Sequence, residues 1–439
     1  MRLRHPFTKP ESGGRPIIVV TIAALAVRLT YALLFSMRQQ LRGDELYYSA
    51  QAHMNAKGHW FEQAFAIGMP AADHPPLAVL IFTPAAWLFH SGAFIGAQRI
   101  TNILLGTALV PLMAALGSKL AGRRVGLIAA LLIAVSVNFT MNDTLVLSET
   151  SACVCLAAAL LFALRGLSAD TVRESRRSTI GMGTALSLGA LARPELMLLV
   201  PLLGVTIAWR SGARVRAGKS LAVLNCALLG TCVAVLIGPW VLWNQARFDE
   251  SVTLSTNDGF TLAGANCPET YFGSNLGGYS IRCAFAVQVP PDRDASVASM
   301  LQRDAAVSYA KANKGRLPLV AAMRLARVWN LDKLARSASE GPGEGRTVWG
   351  YWAGLAQFWL LVPFAVAGLR SVSKTARRVL LSVPVVVSVV AVAIHPLWRL
   401  RVLADVVLII AAAVGLALFS PEALRQLVTR ARLPHPDKS

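Results

Sequence analysis

The apolar residues of this chain arrive in blocks of about 20, the length of helix that spans the hydrocarbon core of a bilayer. Ten blocks are predicted to cross, within these approximate limits: 17–37, 97–119, 124–140, 145–164, 178–192, 195–209, 219–242, 348–369, 379–395 and 402–419. Only 15% of the residues are charged, against about 25% in soluble domains. The first block lacks a small-residue cleavage site, so it is interpreted as the first anchor. The chain is predicted to be an all-α polytopic membrane protein.

The basic residues set the predicted orientation. The formal net charge is +20. If the amino terminus is cytoplasmic, Lys and Arg concentrate in both tails and in the short loops around Arg123, Arg176, Arg214 and Arg377, all of which then lie inside. This positive-inside bias explains the charge without a nucleic-acid partner. It also predicts that the apolar segment 74–90 does not cross, because a crossing there would move most of these residues outside. An interfacial or re-entrant helix is favoured, with a tilted eleventh crossing as the alternative.

The predicted topology divides the chain into three parts. Residues 1–242 form a transmembrane module whose first loop, residues 38–96, lies outside the cytoplasm. Residues 243–347 form one long extracytoplasmic loop. Residues 348–439 contain the last transmembrane helices and a cytoplasmic tail.

The long loop contains three local patterns. A Gly/Asn-rich run with NDGF, GAN, GSN and GGY predicts turns. Residues 293–315 predict a helix with Gly315 capping its end. A second helix is predicted to begin near Pro318 and to place Arg324 and Arg327 on one side. That pattern is typical of a helix lying in the membrane surface, or of a basic helix packed on the rest of the loop.

Cysteine usage agrees with this topology. Cys267 and Cys283 are the only two cysteines in a predicted soluble region, and that region is predicted to be oxidising, so a disulfide is expected. The other four cysteines lie in predicted membrane helices as small apolar residues. The spacings of the six cysteines and of the histidines predict no tetrahedral metal site.

The first loop is rich in acids. Asp44 and Glu45 directly follow the first membrane helix, and Asp73 precedes the apolar segment 74–90. A carboxylate held at the interface can accept a proton from a hydroxyl or an amine. Glu62 is interpreted as a solvated loop residue.

Six segments together carry a family resemblance. They are GDELYYSAQAHMNAKG (43–58), ADHPPL (72–77), NDTLVLSE (142–149), LARPEL (191–196), GPWVLWNQARFDESVTLSTNDGFTLAGAN (238–266) and HPLWRLRVLADVVL (395–408). Their order resembles the GT-C glycosyltransferases, and within them glycosyltransferase family 39, which holds the protein O-mannosyltransferases and the lipid A aminoarabinose transferase. The long loop looks most like that of actinobacterial members.

This resemblance implies a fold and an activity. The expected fold is a GT-C-like bundle of about ten transmembrane helices with extracytoplasmic juxtamembrane helices. The expected reaction is the inverting transfer of a sugar, mannose or a pentose, from a polyprenyl-phosphate carrier. The acceptor would be a protein, a cell-wall polysaccharide or a glycolipid on the outer side of the plasma membrane.

The resemblance also implies roles around the acceptor. Asp44 occupies the position of the catalytic base, and Glu45 is expected to assist it or to bind acceptor. Asp73, Glu149 and Tyr47 are expected nearby. Acids at 44, 73 and 149 could bind a divalent cation through oxygen ligands, although a hydrogen-bonded acid network predicts the same residues.

A second set is expected to bind the carrier phosphate. It comprises His74, Arg324, Arg399 and Arg401. Arginine suits phosphate through its planar fork of donors; for Arg399 and Arg401 the alternative is snorkelling at a helix end. His74 departs from the lysine of the aminoarabinose transferase, although histidine is usual in the mannosyltransferase branch.

Two further arginines lie in or between predicted membrane helices, where a charge needs a partner or a polar cavity. Arg28 is predicted to form a structural ion pair. Arg193 is expected either to pair with Glu195 or to act in the site.

Two other classes of protein stay open at this point. A transporter or flippase for a polyprenyl-linked sugar would line a membrane path with charges, but the chain shows no internal repeat. A non-catalytic scaffold of cell-wall synthesis is the other alternative.

Overall fold

The computed structural model describes residues 14–419 except 65, 91, 395 and 397. The basic residues of both tails apart from Arg15, and His395 and Leu397 of the last motif, lie outside the described residues.

The described residues are largely helical. The α-helices, in chain order, are α1 (Arg15–Tyr31), α2 (Asp44–Ala56), α3 (Leu77–Leu88), α4 (Ala93–Ala121), α5 (Arg123–Ala134), α6 (Val137–Asp143), α7 (Glu149–Leu167), α8 (Val172–Ala192), α9 (Thr206–Arg214), α10 (Gly218–Arg247), α11 (Asn257–Ala265), α12 (Pro268–Tyr271), α13 (Ile281–Phe285), α14 (Ala295–Ala312), α15 (Leu317–Val328), α16 (Leu334–Glu340), α17 (Val348–Ser371), α18 (Lys374–Ala393) and α19 (Val402–Leu418). A short antiparallel pair, β1 (Glu62–Gln63) and β2 (Ala66–Pro70), lies in the first loop.

Eight helical segments of the described chain are long and apolar enough to cross a membrane. They are α1 with its π-helical extension, α4, α7, Pro194–Arg214 including α9, α10, α17, α18 and Arg399–Leu418 including α19. A ninth span results if α5 and α6 are taken together across their 60° bend. The fold is therefore the predicted all-α polytopic bundle.

The remaining predicted crossing, residues 178–192, lies in α8. This helix has 21 residues, but its first two turns contain Arg173, Glu174, Arg176 and Arg177. Only its second half is apolar, which is why α8 falls outside the eight long apolar helices. It packs against α7 and α10.

The apolar segment that follows Pro76 forms the 12-residue helix α3. A helix rises about 1.5 Å per residue, so α3 is shorter than the bilayer core is thick. This length agrees with the prediction that the segment does not cross.

The last helix, α19, lies at the centre of the bundle. In the span Arg399–Leu418 that contains it, 83% of the apolar stretch is buried inside the protein. It packs closely on α17, where a Cβ on Gly415 would lie 1.9 Å from the carbonyl oxygen of Phe364 and one on Gly368 1.9 Å from that of Ala411. Small residues let membrane helices approach in this way.

The predicted ion pair of Arg28 is present. Its Nε lies 2.8 Å from Asp143 Oδ2, and both side chains are fully buried. The pair joins α1 to α6.

The long loop is more helical than its composition suggests. Gly259 and Gly264, predicted to lie in turns, belong to α11. A Cβ on Gly259 would lie 1.9 Å from the carbonyl oxygen of Ser299, so glycine lets α11 pack against α14. The helix predicted at 293–315 is α14, but it ends at Ala312 with Asn313 as its C-cap, so the assignment of Gly315 as the cap is wrong.

The second predicted loop helix is α15, and its arginines face inward. Arg324 and Arg327 are only 3% and 8% exposed, whereas Leu319 is 45% exposed. The structure therefore favours the packed basic helix over a helix with its arginines in water at the membrane surface.

The structure contains the predicted disulfide between Cys267 and Cys283, with Cα atoms 6.2 Å apart. It closes a segment that holds α12, a 3-10 turn at Gly273–Asn275 and the start of α13.

Candidate active site

Asp44 is the first residue of α2, directly after Gly43. Gly43 has φ +55°, a left-handed conformation that glycine adopts without steric cost. The chain can therefore turn sharply from the end of the first membrane helix into α2. Asp44 and Glu45 both lie in the first turn, where a negative charge is stabilised by the helix dipole.

Glu45 points into the protein. It is fully buried; its Oε1 lies 3.4 Å from Arg99 Nη2 and accepts a hydrogen bond of 2.9 Å from the backbone N–H of Val146. Glu45 thus ties the start of α2 to α4 and to the segment before α7. The structure does not bring Glu45 to the cavity that Asp44 faces, so its expected contact with acceptor is not supported.

Asp44 points toward Arg399, which donates a hydrogen bond to its Oδ2. His74 Nε2 lies 3.9 Å from Asp44 Oδ1. Burial favours the neutral acid, but the positive charge of Arg399 and its hydrogen bond to the carboxylate outweigh that effect, so the pKa of Asp44 is well below its usual range. Asp44 is therefore a carboxylate at any physiological pH.

Arg399 is the centre of a charge network. Its Nε lies 3.8 Å from Glu149 Oε1 and 3.6 Å from Glu344 Oε1. Arg193 also contacts Glu149, at 3.1 Å, and pairs with Glu195 at 2.6 Å. Both alternatives for Arg193 therefore hold, because it pairs with Glu195 and also lines the cavity that Asp44 faces.

Two open cavities meet at Asp44. Both are lined by Asp44, His74, Asn257, Thr261 and Arg399. The first, called the arginine cavity, has a volume of about 380 Å³ and is also lined by Arg193, Glu195, Leu198, Arg303, Val390 and Ile394. The second, called the aromatic cavity, has a volume of about 540 Å³ and is also lined by Tyr47, Asp73, Phe260, Tyr279, Gln302 and Glu344.

His74 lies between two tyrosine rings. It stacks on Tyr48 with ring centroids 4.9 Å apart, and the edge of Tyr47 lies at 5.0 Å. Burial lowers the pKa of His74, although Asp44 and Asp73 oppose this effect. His74 is therefore neutral at pH 7, and it can donate or accept a hydrogen bond but contributes little charge.

Asp73 faces the aromatic cavity beside the long loop. Its Oδ1 lies 3.5 Å from Thr256 Oγ1, and the backbone N–H of Thr256 donates to the carbonyl of Ala72 at 2.7 Å. Burial raises the pKa of Asp73, and the side-chain hydrogen bonds from Gln63 and Thr256 oppose this effect only in part. The first loop and the long loop thus form one wall.

Arg401 and Arg324 serve the packing of helices. The side chain of Arg401 is 2% exposed, and its Nε lies 3.3 Å from Asp405 Oδ1. Its guanidinium carbon lies 4.0 Å from the centroid of the Phe358 ring. Arg324 donates to the carbonyl oxygens of Val392 at 2.7 Å and Ala265 at 2.5 Å. The structure does not bring either arginine to Asp44.

The structure allows a choice between a divalent cation at Asp44, Asp73 and Glu149 and the alternative of a hydrogen-bonded acid network. Among residues 14–419 apart from the four gaps, no group of three or more His, Cys, Asp or Glu side chains has the geometry to hold a metal ion. Arg399 contacts both Asp44 and Glu149. Because a cation already lies between these carboxylates, the residues do not fit a metal ion.

Comparisons with known proteins show which family and which folds this chain resembles. The sequence family described as dolichyl-phosphate-mannose-protein mannosyltransferase matches residues 73–247. The archaeal oligosaccharyltransferase AglB from Archaeoglobus fulgidus, solved with an inhibitory peptide and a dolichol-phosphate, aligns with 97% of this chain at 14% identity and a TM-score of 0.55. An Archaeoglobus fulgidus oligosaccharyltransferase in the apo form aligns with 98% at 13% identity and a TM-score of 0.57. The fold of this chain is therefore of the GT-C type.

This chain spans about half the length of those archaeal enzymes, 52% and 53% of their chains. ArnT from Cupriavidus metallidurans bound to undecaprenyl phosphate aligns with 97% of this chain and 82% of its own, at 16% identity and a TM-score of 0.46. No functionally curated protein matches the sequence.

Several residues that line the two cavities were not predicted from the sequence, and some of them carry a charge or a phenol. Tyr279, Arg303 and Glu344 all come from the long loop and line the two cavities. One signal could have pointed to Tyr279, because it lies inside the segment that the predicted disulfide closes. Arg303 lies in the helix predicted at residues 293–315, and Glu344 lies in a part of the long loop for which the sequence predicts no element; neither position carries a signal of a site.

Proposed function

We propose that this protein is a glycosyltransferase that transfers a sugar, with inversion, from a polyprenyl-phosphate carrier to an acceptor on the outer side of the membrane. The observation that carries the proposal is the position of Asp44, an ionised carboxylate at the junction of two open cavities. Direct displacement needs a base on the face of the sugar opposite the leaving phosphate. A residue shared by a donor cavity and an acceptor cavity meets this requirement.

The arginine cavity suits the donor. Arg193, Arg303 and Arg399 supply guanidinium groups, which bind phosphate through paired N–H donors. Val390 and Ile394 lie at the end of the membrane helix α18 and line the same cavity. A carrier could therefore keep its chain in the lipid while its phosphate reaches Arg399.

The chemistry follows from these positions. Asp44 takes the proton of the acceptor hydroxyl while the hydroxyl oxygen attacks the anomeric carbon. The bond between that carbon and the phosphate oxygen breaks, and the polyprenyl phosphate leaves with its charge held by the arginines.

Donor binding would also change Asp44 itself. Arg399 is the main charge that keeps the Asp44 pKa low. A phosphate that engages Arg399 competes with the carboxylate for the same donors, and a carboxylate with fewer partners is a stronger base. The base would thus be activated when the donor is in place.

Two comparisons support the class of donor. The matching family is described by its use of dolichyl-phosphate-mannose, and AglB was solved with a dolichol-phosphate. Both are polyprenyl phosphates. We propose mannose first, and a pentose second, as the sugar.

The proposal is tested with purified protein in proteoliposomes. Radiolabelled polyprenyl-phosphate mannose, and separately polyprenyl-phosphate arabinose, is added with cell-envelope material as the acceptor. The proposal expects label from one donor to move into the envelope fraction. A flippase would move labelled donor across the bilayer without a new product, and a scaffold would do neither.

A further inference from the structure

The aromatic cavity differs from the arginine cavity in its charge. Its carboxyl groups are those of Asp44, Asp73 and Glu344, and its one cationic side chain among the described residues is Arg399, because the lowered pKa of His74 leaves that ring neutral. If Arg399 binds the donor phosphate, no second cation on this side remains for an anionic acceptor. The charge therefore disfavours an acceptor that carries phosphate.

Three aromatic rings line the same cavity, and each is held by a neighbour. Tyr47 contacts the ring of His74. Phe260 packs edge-on against Phe285, with ring centroids 5.1 Å apart. Tyr279 lies against the backbone of Gly264, where an added Cβ would come within 2.3 Å of the tyrosine ring.

Tyr279 is positioned by the disulfide-closed segment 267–283. Asn275 donates to the carbonyl of Tyr279 at 3.0 Å, and the next residue, Ser280, donates through its N–H to the carbonyl of Gly264 at 2.8 Å. Burial, and then the negative charge of Asp44, raise the pKa of the Tyr279 phenol. Its hydroxyl is therefore neutral and lies near the proposed base.

We propose, on the basis of the proposed function, that the aromatic cavity binds a carbohydrate acceptor and that Tyr279 contacts it. A sugar ring has an apolar C–H face that packs on the negative face of an aromatic ring. Its hydroxyl groups bond to carboxylates and amides, which Asp73, Glu344 and Gln302 provide around the same space. A volume of about 540 Å³ lies within the usual range for small-molecule sites.

The test measures binding of the acceptor without any donor. Purified full-length protein in detergent is titrated by calorimetry with mannotriose, galactotriose and arabinotriose, and with a Ser/Thr-rich peptide of 16 residues. Tyr279→Ala should weaken the best trisaccharide by tenfold or more. Tyr279→Leu, which keeps apolar volume and removes the ring, should do the same and decides the matter if the alanine variant does not fold.

Phe272→Ala is the matched control, because Phe272 is an aromatic residue of the same disulfide-closed segment and is 45% exposed. It should bind within twofold of the parent. The inference is overturned if no trisaccharide binds, if only the peptide binds, or if the Tyr279 variants bind like Phe272→Ala. Failure of the proposed function looks different, because the trisaccharide would still bind while no sugar is transferred from either donor.

Discussion

Asp44 and Glu45 are neighbours in sequence but occupy opposite surroundings. Adjacent residues on a helix point about 100° apart, so the sequence predicts that only one faces the acceptor. Partners far along the chain decide which of the two faces the acceptor. Glu45 is held inside by Arg99 and Val146, whereas Asp44 is held at the cavity by Arg399. A single sequence does not reveal those pairings.

The charge state of Asp44 gives a pH dependence of stability. Its pKa is lowered in the folded protein, from about 3.9 in an unfolded chain. Such a group stabilises the fold above its unfolded pKa, and the contribution is lost as the pH falls toward the folded pKa. The difference in melting temperature between the parent and Asp44→Asn should be constant from pH 5 to 8 and shrink below about pH 4. A difference that already disappears between pH 7 and 6 would contradict the low pKa.

The two arginines before α19 should behave differently. Arg399→Lys keeps the charge but loses the fork of donors. Since charged hydrogen bonds are worth about 1.5 to 3 kcal/mol, donor affinity should fall by roughly tenfold to a hundredfold. It can be measured as the apparent KM for the polyprenyl-phosphate sugar that is active.

The control for this change is the double variant Arg401→Met with Asp405→Asn, which removes the buried pair without leaving one charge alone. It should bind donor within threefold of the parent. If the double variant loses donor affinity and Arg399→Lys keeps it, the phosphate site is at Arg401 and not at Arg399, although the sequence analysis expects both arginines to bind phosphate.

At the scale of elements, helices with clear periodicity were predictable and glycine-rich stretches were not. The helix α14 was expected from its sequence almost in full. Gly259 and Gly264 were read as turn residues, yet they lie in α11, where the missing side chain lets α14 and Tyr279 come close. Local sequence does not distinguish a glycine needed for a turn from one needed for close packing.

The inward orientation of the arginines on α15 could not be predicted from the sequence either. Arg324 on an apolar helix reads as a surface residue, but it bonds to carbonyl oxygens of α18 and α11. These carbonyl oxygens lie in the last turns of the two helices, where carbonyl groups have no partner within the helix. They can therefore accept hydrogen bonds from Arg324.

The disulfide should stabilise the long loop. It closes a loop of about 15 residues, which the chain-entropy model values at about 3 kcal/mol. The double variant Cys267→Ser with Cys283→Ser should therefore increase proteolysis within residues 267–283 while the membrane helices stay folded. Mass spectrometry of the unreduced parent should show the crosslinked peptides. Finding both thiols free in protein from an oxidising compartment would contradict the pairing.

At the scale of the whole molecule, the site is assembled from distant parts of the chain. Asp44 and His74 come from the first loop, Arg193 from between two helices, Tyr279 and Glu344 from the long loop. The sequence predicted the first loop as the site because its acids stand out. The contribution of the long loop depends on how it folds over the bundle, which periodicity does not encode.

The orientation in the membrane stays a prediction and can be tested by labelling. Ser308 lies on the exposed face of α14 and Ala217 lies in a short loop on the predicted cytoplasmic side; both are exposed. In intact spheroplasts a membrane-impermeant maleimide should label Ser308→Cys, while Ala217→Cys should react only after permeabilisation. The four cysteines outside the disulfide are replaced by serine in both. The reverse pattern would invert the topology and place the site in the cytoplasm.

The central claim is that Asp44 activates the acceptor, and single-turnover transfer from the active donor tests it most directly. Removing a general base costs about a hundredfold to ten-thousandfold, so Asp44→Asn should lose that much in rate while binding donor within threefold of the parent. The Glu45→Gln variant loses the buried ion pair with Arg99, so it should melt at a lower temperature. Its rate of sugar transfer should stay within about tenfold of the parental rate. Transfer by Asp44→Asn at the parental rate would contradict the account.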